Sequence, residues 1–128
     1  MIKQQLSFDT LRTANVTRQV TEWDVDNRIS LSYRGNELAG EVGEACNVIK
    51  KLDREMLGIV GSRDTKEHLA EELADVIICV DLIAAAMSID LAHAVAAKFN
   101  ATSDKNGFKT HIDISNNAVV VFDEYQEQ

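Results

Sequence analysis

Apolar residues recur at alternating steps of three and four along two long stretches of the chain, which is the spacing of one helix face. The first stretch runs from about Ser32 to Leu57 and ends at Gly58, a residue suited to a left-handed helix cap. The second opens at Asp64, which with Glu67 resembles a capping box, and continues to about Met87. Both stripes are predicted to face the core: Leu38, Val42, Ala45, Ile49, Leu52 and Met56, then Leu69, Leu73, Val76, Val80, Ile83 and Met87.

Two shorter helices flank this pair. The first is predicted from Phe8 to Glu22, with Ser7 as its N-cap, and residues 23–27 form the break that follows. The last begins after Asp90, as N-cap, and ends near Asn100. The apolar run 118–122 is predicted to be a short strand or an arm that packs on a partner chain. The fold class is therefore all-α, of the antiparallel four-helix-bundle type, with a short extended C-terminal arm.

Length, charge and cysteine count disfavour several classes of partner and structure. A chain of 128 residues fits one domain. Its 21 acidic and 13 basic residues give a net charge of −8, which disfavours a nucleic-acid polymer as partner. The N-terminus lacks the apolar segment of a signal peptide and no stretch is long and apolar enough for a membrane span, so we expect a cytoplasmic protein with no membrane partner. Two cysteines are too few for a disulfide framework.

Carboxylates occupy a second face on each long helix, about 100° from the predicted core stripe. Three lie on the first helix, and that face continues as Val48; two lie on the next helix, and that face continues as Cys79 and Leu82. A solvated face would continue with more charge, so we predict a half-buried acidic cleft. For any one of these acids alone, a solubilising surface role is the alternative. The acids are Glu37, Glu41, Glu44, Glu72 and Asp75.

Several carboxylates in one cleft need a cation or protons, because two of them about 5 Å apart repel by roughly 3 kcal/mol at an effective dielectric constant of 20. Ligands that are all oxygen favour Mg²⁺, with Mn²⁺ as the other candidate. A di-iron site needs two Glu-x-x-His motifs, and only Asp90-x-x-His93 comes near that pattern. A zinc site is disfavoured because the three histidines show no shared spacing. Magnesium held by carboxylates typically acts on phosphates, for which Lys50, Lys51, Lys98 and Lys105 are available; Lys51 lies on the metal-facing side of its helix. For each lysine taken alone, a solvated surface role is the alternative.

Longer motifs surround these acids. Glu37-Leu-Ala-Gly40 and Glu41-Val-Gly-Glu44 are followed by Glu71-Glu-Leu-Ala-Asp75-Val-Ile-Ile, then by Ile89-Asp90-Leu91 and Lys98-Phe-Asn100. Over about residues 30–108, this arrangement resembles the MazG-type nucleoside triphosphate pyrophosphohydrolases of the all-α NTP pyrophosphatase superfamily. The resemblance implies a single MazG-like domain over residues 1–128, with its core at 30–108 and the arm at 110–128.

The resemblance also implies a mechanism. Glu41, Glu44, Glu72 and Asp75 would hold Mg²⁺, and a metal-activated water would attack the α-phosphorus so that pyrophosphate leaves. Lys98 matches a lysine near the phosphates, and Asn100 is a further match. The family implies homo-oligomers, either dimers or tetramers. Its small single-domain members occur in bacteria and phages.

Two departures from the family concern the substrate contacts. Many relatives carry several arginines after the lysine, whereas this chain offers only Lys105 there. Relatives use aromatic residues near the first helix to bind the base, and Trp23 lies at a compatible distance upstream of the acids. We predict that Trp23 stacks on a base, with packing as its alternative role, and that Asn15 and Arg18 read base edges.

The leading hypothesis is a Mg²⁺-dependent pyrophosphohydrolase that converts a nucleoside or deoxynucleoside triphosphate to the monophosphate and pyrophosphate, for control or cleaning of the nucleotide pool. One alternative keeps the fold and acts on phosphoribosyl-ATP. A second alternative is a non-catalytic helical interaction module in which the acids bind a structural cation.

Overall fold

Helices and one hairpin make up the computed structural model, which describes residues 5–123. The chain divides into two compact units, one through Met87 and one from Ser88 onward. The first unit contains α1 (Phe8–Arg18), a π-helical turn (Gln19–Trp23), α2 (Leu31–Met56) and α3 (Lys66–Ala86). The second contains α4 (Leu91–Asn106), β1 (Thr110–Asp113) and β2 (Ala118–Val121). The all-α prediction is confirmed, and the end of the predicted arm, residues 124–128, lies outside the described residues.

Each helix begins at a side chain that accepts a hydrogen bond from the first turn. Ser7 and Asp90 cap α1 and α4, as predicted, and Ser30 caps α2. The predicted cap of α3 was wrong by one residue. The Thr65 hydroxyl accepts from the backbone N–H of His68 and fills the N-cap position, while the Asp64 carboxylate accepts from the Thr65 N–H.

Helices α2 and α3 pack antiparallel, because the contacts between them pair rising residue numbers on α2 with falling numbers on α3. Glu37 contacts Cys79, and Lys51 contacts Asp64. The predicted core stripes are wrong in part, since Val42, Ile49, Met56, Leu73 and Met87 are exposed, with Met56 at 88%. Ala45 of the predicted stripe is buried, and the faces that carry the acids contribute three further buried residues, Val48, Cys79 and Leu82. Within one chain, therefore, α2 and α3 meet through their acidic faces.

A buried ionic cluster fastens α1 to α3. Asp81 is fully buried, at 0% exposure, and its Oδ1 accepts from Nε of Arg12 at 3.0 Å. Its Oδ2 accepts from Nδ2 of Asn15 at 2.9 Å. These contacts hold the polar face of α1 against an otherwise apolar segment of α3.

In the second unit, α4 packs on the hairpin. The helix runs to Asn106 and ends at Gly107, whose φ of 67° is left-handed, so the predicted end near Asn100 was wrong. Asn100 instead lies inside the helix and bonds the backbone of Ile112 on β1. Strand β2 confirms the predicted short strand, and β1, which was not predicted, pairs with it antiparallel.

No single helix among residues 5–123 is long and apolar enough to cross a membrane; only α3 and α4 taken together meet that criterion, on length and composition alone.

Candidate metal site

Three carboxylates from α2 and α3 converge on one point. Oxygens of Glu41, Glu72 and Asp75 all lie within 4.8 Å of one another. Glu44, one turn after Glu41, is close enough for its charge to raise the pKa of both Glu41 and Glu72. The i, i+3 spacing on each antiparallel helix produces this arrangement, since each pair faces the neighbouring helix. The structure thus brings together the four acids for which the sequence predicted a metal site.

Two oxygens in this cluster are buried without a donor. Among the described residues, neither Oε2 of Glu41 nor Oε2 of Glu72 has a hydrogen-bond partner. A carboxylate oxygen removed from water without a donor is strongly unfavourable unless a cation or a proton compensates. The oxygens therefore fit a hard divalent cation, and the absence of nitrogen or sulfur among the converging atoms fits Mg²⁺ or Mn²⁺.

Burial and the crowding of carboxylates also raise the pKa of Glu41 and Glu72. Burial is the largest cause that raises the pKa of Glu41, and the charges of Glu44, Asp75 and Glu72 add to it. Burial also raises the pKa of Glu72, with the neighbouring Glu44 next, while His68 acts in the opposite direction. Without a cation, the cluster therefore retains protons to a higher pH than ordinary glutamates do.

A second layer of charged groups lies behind Glu72. His68 Nε2 is 2.9 Å from Glu72 Oε1, and His68 Nδ1 is 2.7 Å from Asp64 Oδ1. The ammonium group of Lys51 lies 3.9 Å from Asp64 Oδ2, so the structure pairs this predicted phosphate contact with an acid. Sequence reasoning missed His68 and Asp64. Their signal was the spacing of Asp64, His68 and Glu72, four residues apart on one helix face.

A cavity of about 160 Å³ adjoins the acids. Glu41 and Asp75 line it, together with Arg18 and Trp23 from the end of α1 and the turn that follows. Trp23 is 70% exposed, so its ring is open to a flat ligand rather than packed in a core. The other lining residues are Gln19, Arg34, Glu37, Ile78, Cys79 and Leu82.

Glu37, the fifth predicted acid, has partners of its own in that cavity. Its Oε1 accepts from the Cys79 thiol at 3.6 Å and lies 3.8 Å from Nη1 of Arg34. Burial raises the pKa of Cys79 to about 11, so its thiol stays protonated and donates near neutral pH. The structure therefore places Glu37 beside the converging oxygens but not among them.

Comparison with known protein families identifies the family of this chain. A model of the MazG nucleotide pyrophosphohydrolase domain matches residues 31–106, which is more than half of the chain. The chain belongs to the MazG family. No curated protein matches it. The matched range of the MazG domain contains the three converging acids and Glu44, but it excludes α1 and the turn that carries Trp23.

Two asparagines that were predicted to contact the substrate make structural hydrogen bonds. Asn15 is only 2% exposed, and its amide nitrogen donates to Asp81 and lies 3.4 Å from the Ile78 carbonyl, so we no longer assign it to a base edge. Asn100 donates to the carbonyl of Ile112 at 2.9 Å and accepts from its N–H at 2.7 Å. Both polar atoms of Asn100 therefore have a structural role, and its contact with phosphate stays a prediction.

The two lysines predicted to contact phosphate in the second unit are exposed. Lys98 lines an apolar groove on α4 with Phe99 and Phe108, and Lys105 lies in the last helical turn, where a positive charge favours the helix dipole. Their contact with phosphate stays a prediction, as does that of Lys51. Arg18 and Trp23 stay predicted contacts of the base.

Proposed function

We propose that this MazG domain is a divalent-cation-dependent nucleotide pyrophosphohydrolase that converts a nucleoside or deoxynucleoside triphosphate and water to the monophosphate and pyrophosphate. One observation carries the proposal: three carboxylates converge with Glu44 beside them, and two of their buried oxygens have no donor in the described chain, next to a cavity that an exposed tryptophan lines. A solubilising surface would not bury carboxylate oxygens without partners.

In this proposal, Glu41, Glu72 and Asp75 hold the cation, because their oxygens lie within 4.8 Å of one another. When bound, Mg²⁺ would neutralise charge on the phosphate oxygens and lower the pKa of an attacking water. Glu44, also predicted as a ligand, lies beside Glu41 and Glu72 but is not among the three converging residues, so we assign it the proton that this water gives up. The water oxygen forms a bond to the α-phosphorus, the bond from that phosphorus to the bridging oxygen breaks, and pyrophosphate leaves with the electron pair.

The cavity supports a nucleotide rather than free pyrophosphate as substrate. Trp23 offers an aromatic face for a base, and Arg18 offers a cation at the same wall, both beside Glu41 and Asp75. A base there would place its phosphates toward the acids. A triphosphate that arrives with its magnesium is compatible with a chain of net charge −8. With such a substrate, we propose that the enzyme controls or cleans the nucleotide pool in the cytoplasm.

Self-association belongs to the same proposal. The exposed stripe on α2, with Val42 and Ile49 in it, has the periodicity of a core face, and α3 exposes Leu73 and Ile77. We propose that a second copy of this chain covers these residues, as a dimer or tetramer. Light scattering after size-exclusion chromatography should give a multiple of 14.2 kDa, and Ile49→Glu should lower it. A wild-type monomer at micromolar concentration would contradict this part.

A substrate panel tests the activity. Canonical and modified triphosphates, with phosphoribosyl-ATP beside them, should include at least one that yields a monophosphate and pyrophosphate with Mg²⁺ and nothing with a chelator. Glu72→Gln should abolish turnover, whereas Glu71→Gln, on the exposed neighbour, should not. Turnover of phosphoribosyl-ATP alone would select that alternative. Metal-dependent stabilisation without any turnover would select the non-catalytic module.

A further inference from the structure

The ring of His68 bridges two carboxylates. Its Nδ1 lies 2.7 Å from Asp64 Oδ1, and its Nε2 lies 2.9 Å from Glu72 Oε1. Ionised carboxylates only accept hydrogen bonds, so a ring that donates from both nitrogens satisfies both neighbours. The bridge ties the start of α3 to a residue two turns further along the same helix.

This bridge places the two carboxylate oxygens of Glu72 in different environments. Its Oε1 is engaged by His68, while its Oε2 is buried and has no hydrogen-bond partner in the described chain. A carboxylate can rotate and exchange its two oxygens, and a donor fixed on one of them removes that freedom. The oxygen left over is then the one available to a cation, in a cluster to which Glu72 contributes one carboxylate oxygen beside those of Glu41 and Asp75.

The ring itself is held from behind. Asp64 Oδ1 also accepts from the backbone N–H of Thr65 at 2.8 Å, and the Lys51 ammonium lies 3.9 Å from Oδ2. Asp64 therefore has partners from the helix start and from α2. With Asp64 fixed, the ring has one orientation in which it meets both carboxylates.

We propose that His68 is a positioning residue that orients Glu72 for cation binding. The inference rests on the metal site of the proposed function. Groups that hydrogen-bond a metal ligand fix its geometry, and their loss typically weakens metal affinity about 10- to 100-fold.

Two conservative variants separate the two hydrogen bonds. The terminal amide of glutamine reaches about as far as Nε2, and that of asparagine about as far as Nδ1. His68→Gln therefore keeps a donor for Glu72, and His68→Asn keeps one for Asp64. His93→Asn is the matched control, because His93 lies 2.8 Å from Asp90 in a similar pair with no converging acid as its partner.

The readout is the affinity for Mn²⁺ alone, by isothermal titration calorimetry without nucleotide, on variants whose helical circular dichroism matches that of the wild type. We expect His68→Asn to bind about 10- to 100-fold more weakly, and His68→Gln and His93→Asn to stay within about threefold of the wild type. Equal affinity of His68→Asn and wild type would overturn the inference and leave the metal site standing. Equal weakness of His68→Gln and His68→Asn would overturn it too. A wild type that binds no Mn²⁺ would overturn both the metal site and the inference.

Discussion

Replacement of Arg12 by methionine should weaken the contact between α1 and α3 and lower the free energy of unfolding by a measurable amount. Asp81 is fully buried, and Nε and Nη2 of Arg12 both lie 3.0 Å from its Oδ1. Methionine keeps much of the aliphatic volume but removes the cation and its donors. The Asp81 carboxylate would then keep the Asn15 amide as its remaining side-chain donor from α1.

The structure sets the size of this effect. A buried carboxylate that loses its cation typically costs about 3–5 kcal/mol. The Arg12 side chain is 26% exposed, so water can partly replace it, and we expect the lower end, about 3 kcal/mol. For a chain of 128 residues the entropy of unfolding is about 0.27 kcal/mol per kelvin, so the melting temperature should fall by about 11 °C.

Urea and thermal unfolding at a fixed protein concentration measure it. Asp81→Asn should destabilise the protein less than Arg12→Met does, because the partly exposed guanidinium can turn to water. The double variant should be more stable than Arg12→Met alone. Arg18→Met, at an exposed arginine of the same helix, is the control. A loss below about 0.5 kcal/mol for Arg12→Met, the scatter of ordinary surface changes, would refute the reasoning.

Three further predictions concern the acids and the hairpin. Glu41→Gln should raise the melting temperature of the metal-free protein, because it removes repulsion, and should abolish stabilisation by Mg²⁺; an unchanged Mg²⁺ shift would contradict it. The raised pKa of Glu41 and Glu72 means that the metal-free folded state holds more protons than the unfolded one above pH 4.5, so stability should fall as pH rises through the raised values. The raised pKa of His111 also lowers stability as pH rises above 6.5. Urea unfolding with chelator should therefore give a smaller free energy of unfolding at pH 8.5 than at pH 5.5. Asn100→Ala should lower the free energy of unfolding by about 2 kcal/mol because it removes both bonds to Ile112, and the KM for the triphosphate, measured beside it, shows whether the residue also contacts phosphate.

Local signals in the sequence predicted the helices well. Caps such as Ser7 and Asp90 depend on neighbouring residues only, so the sequence contains what decides them. The end of α4 did not follow the same logic, because Asn100 is held by the backbone of a strand that was not predicted. The clearest error concerned the buried faces of α2 and α3. Periodicity identifies an apolar stripe, but it does not say whether that stripe meets the same chain or is left exposed, as Ile49 is.

The acids were predictable because their spacing on two helices needs only antiparallel packing to bring them together. Asp81 and Asn15 were not, since a single charge within an apolar run finds its partner on another helix, 66 to 69 residues away. His68 was missed for a different reason. Its role depends on which oxygen of Glu72 it meets, and that choice appears only in three dimensions.

The most direct test of the central claim is the reaction in ¹⁸O-water with Mg²⁺ and a triphosphate that the panel identifies. Attack at the α-phosphorus at the acids of α2 and α3 predicts ¹⁸O in the nucleoside monophosphate, unlabelled pyrophosphate, and no product from Glu72→Gln. Release of labelled inorganic phosphate with a nucleoside diphosphate, or full activity of that variant, would contradict the account.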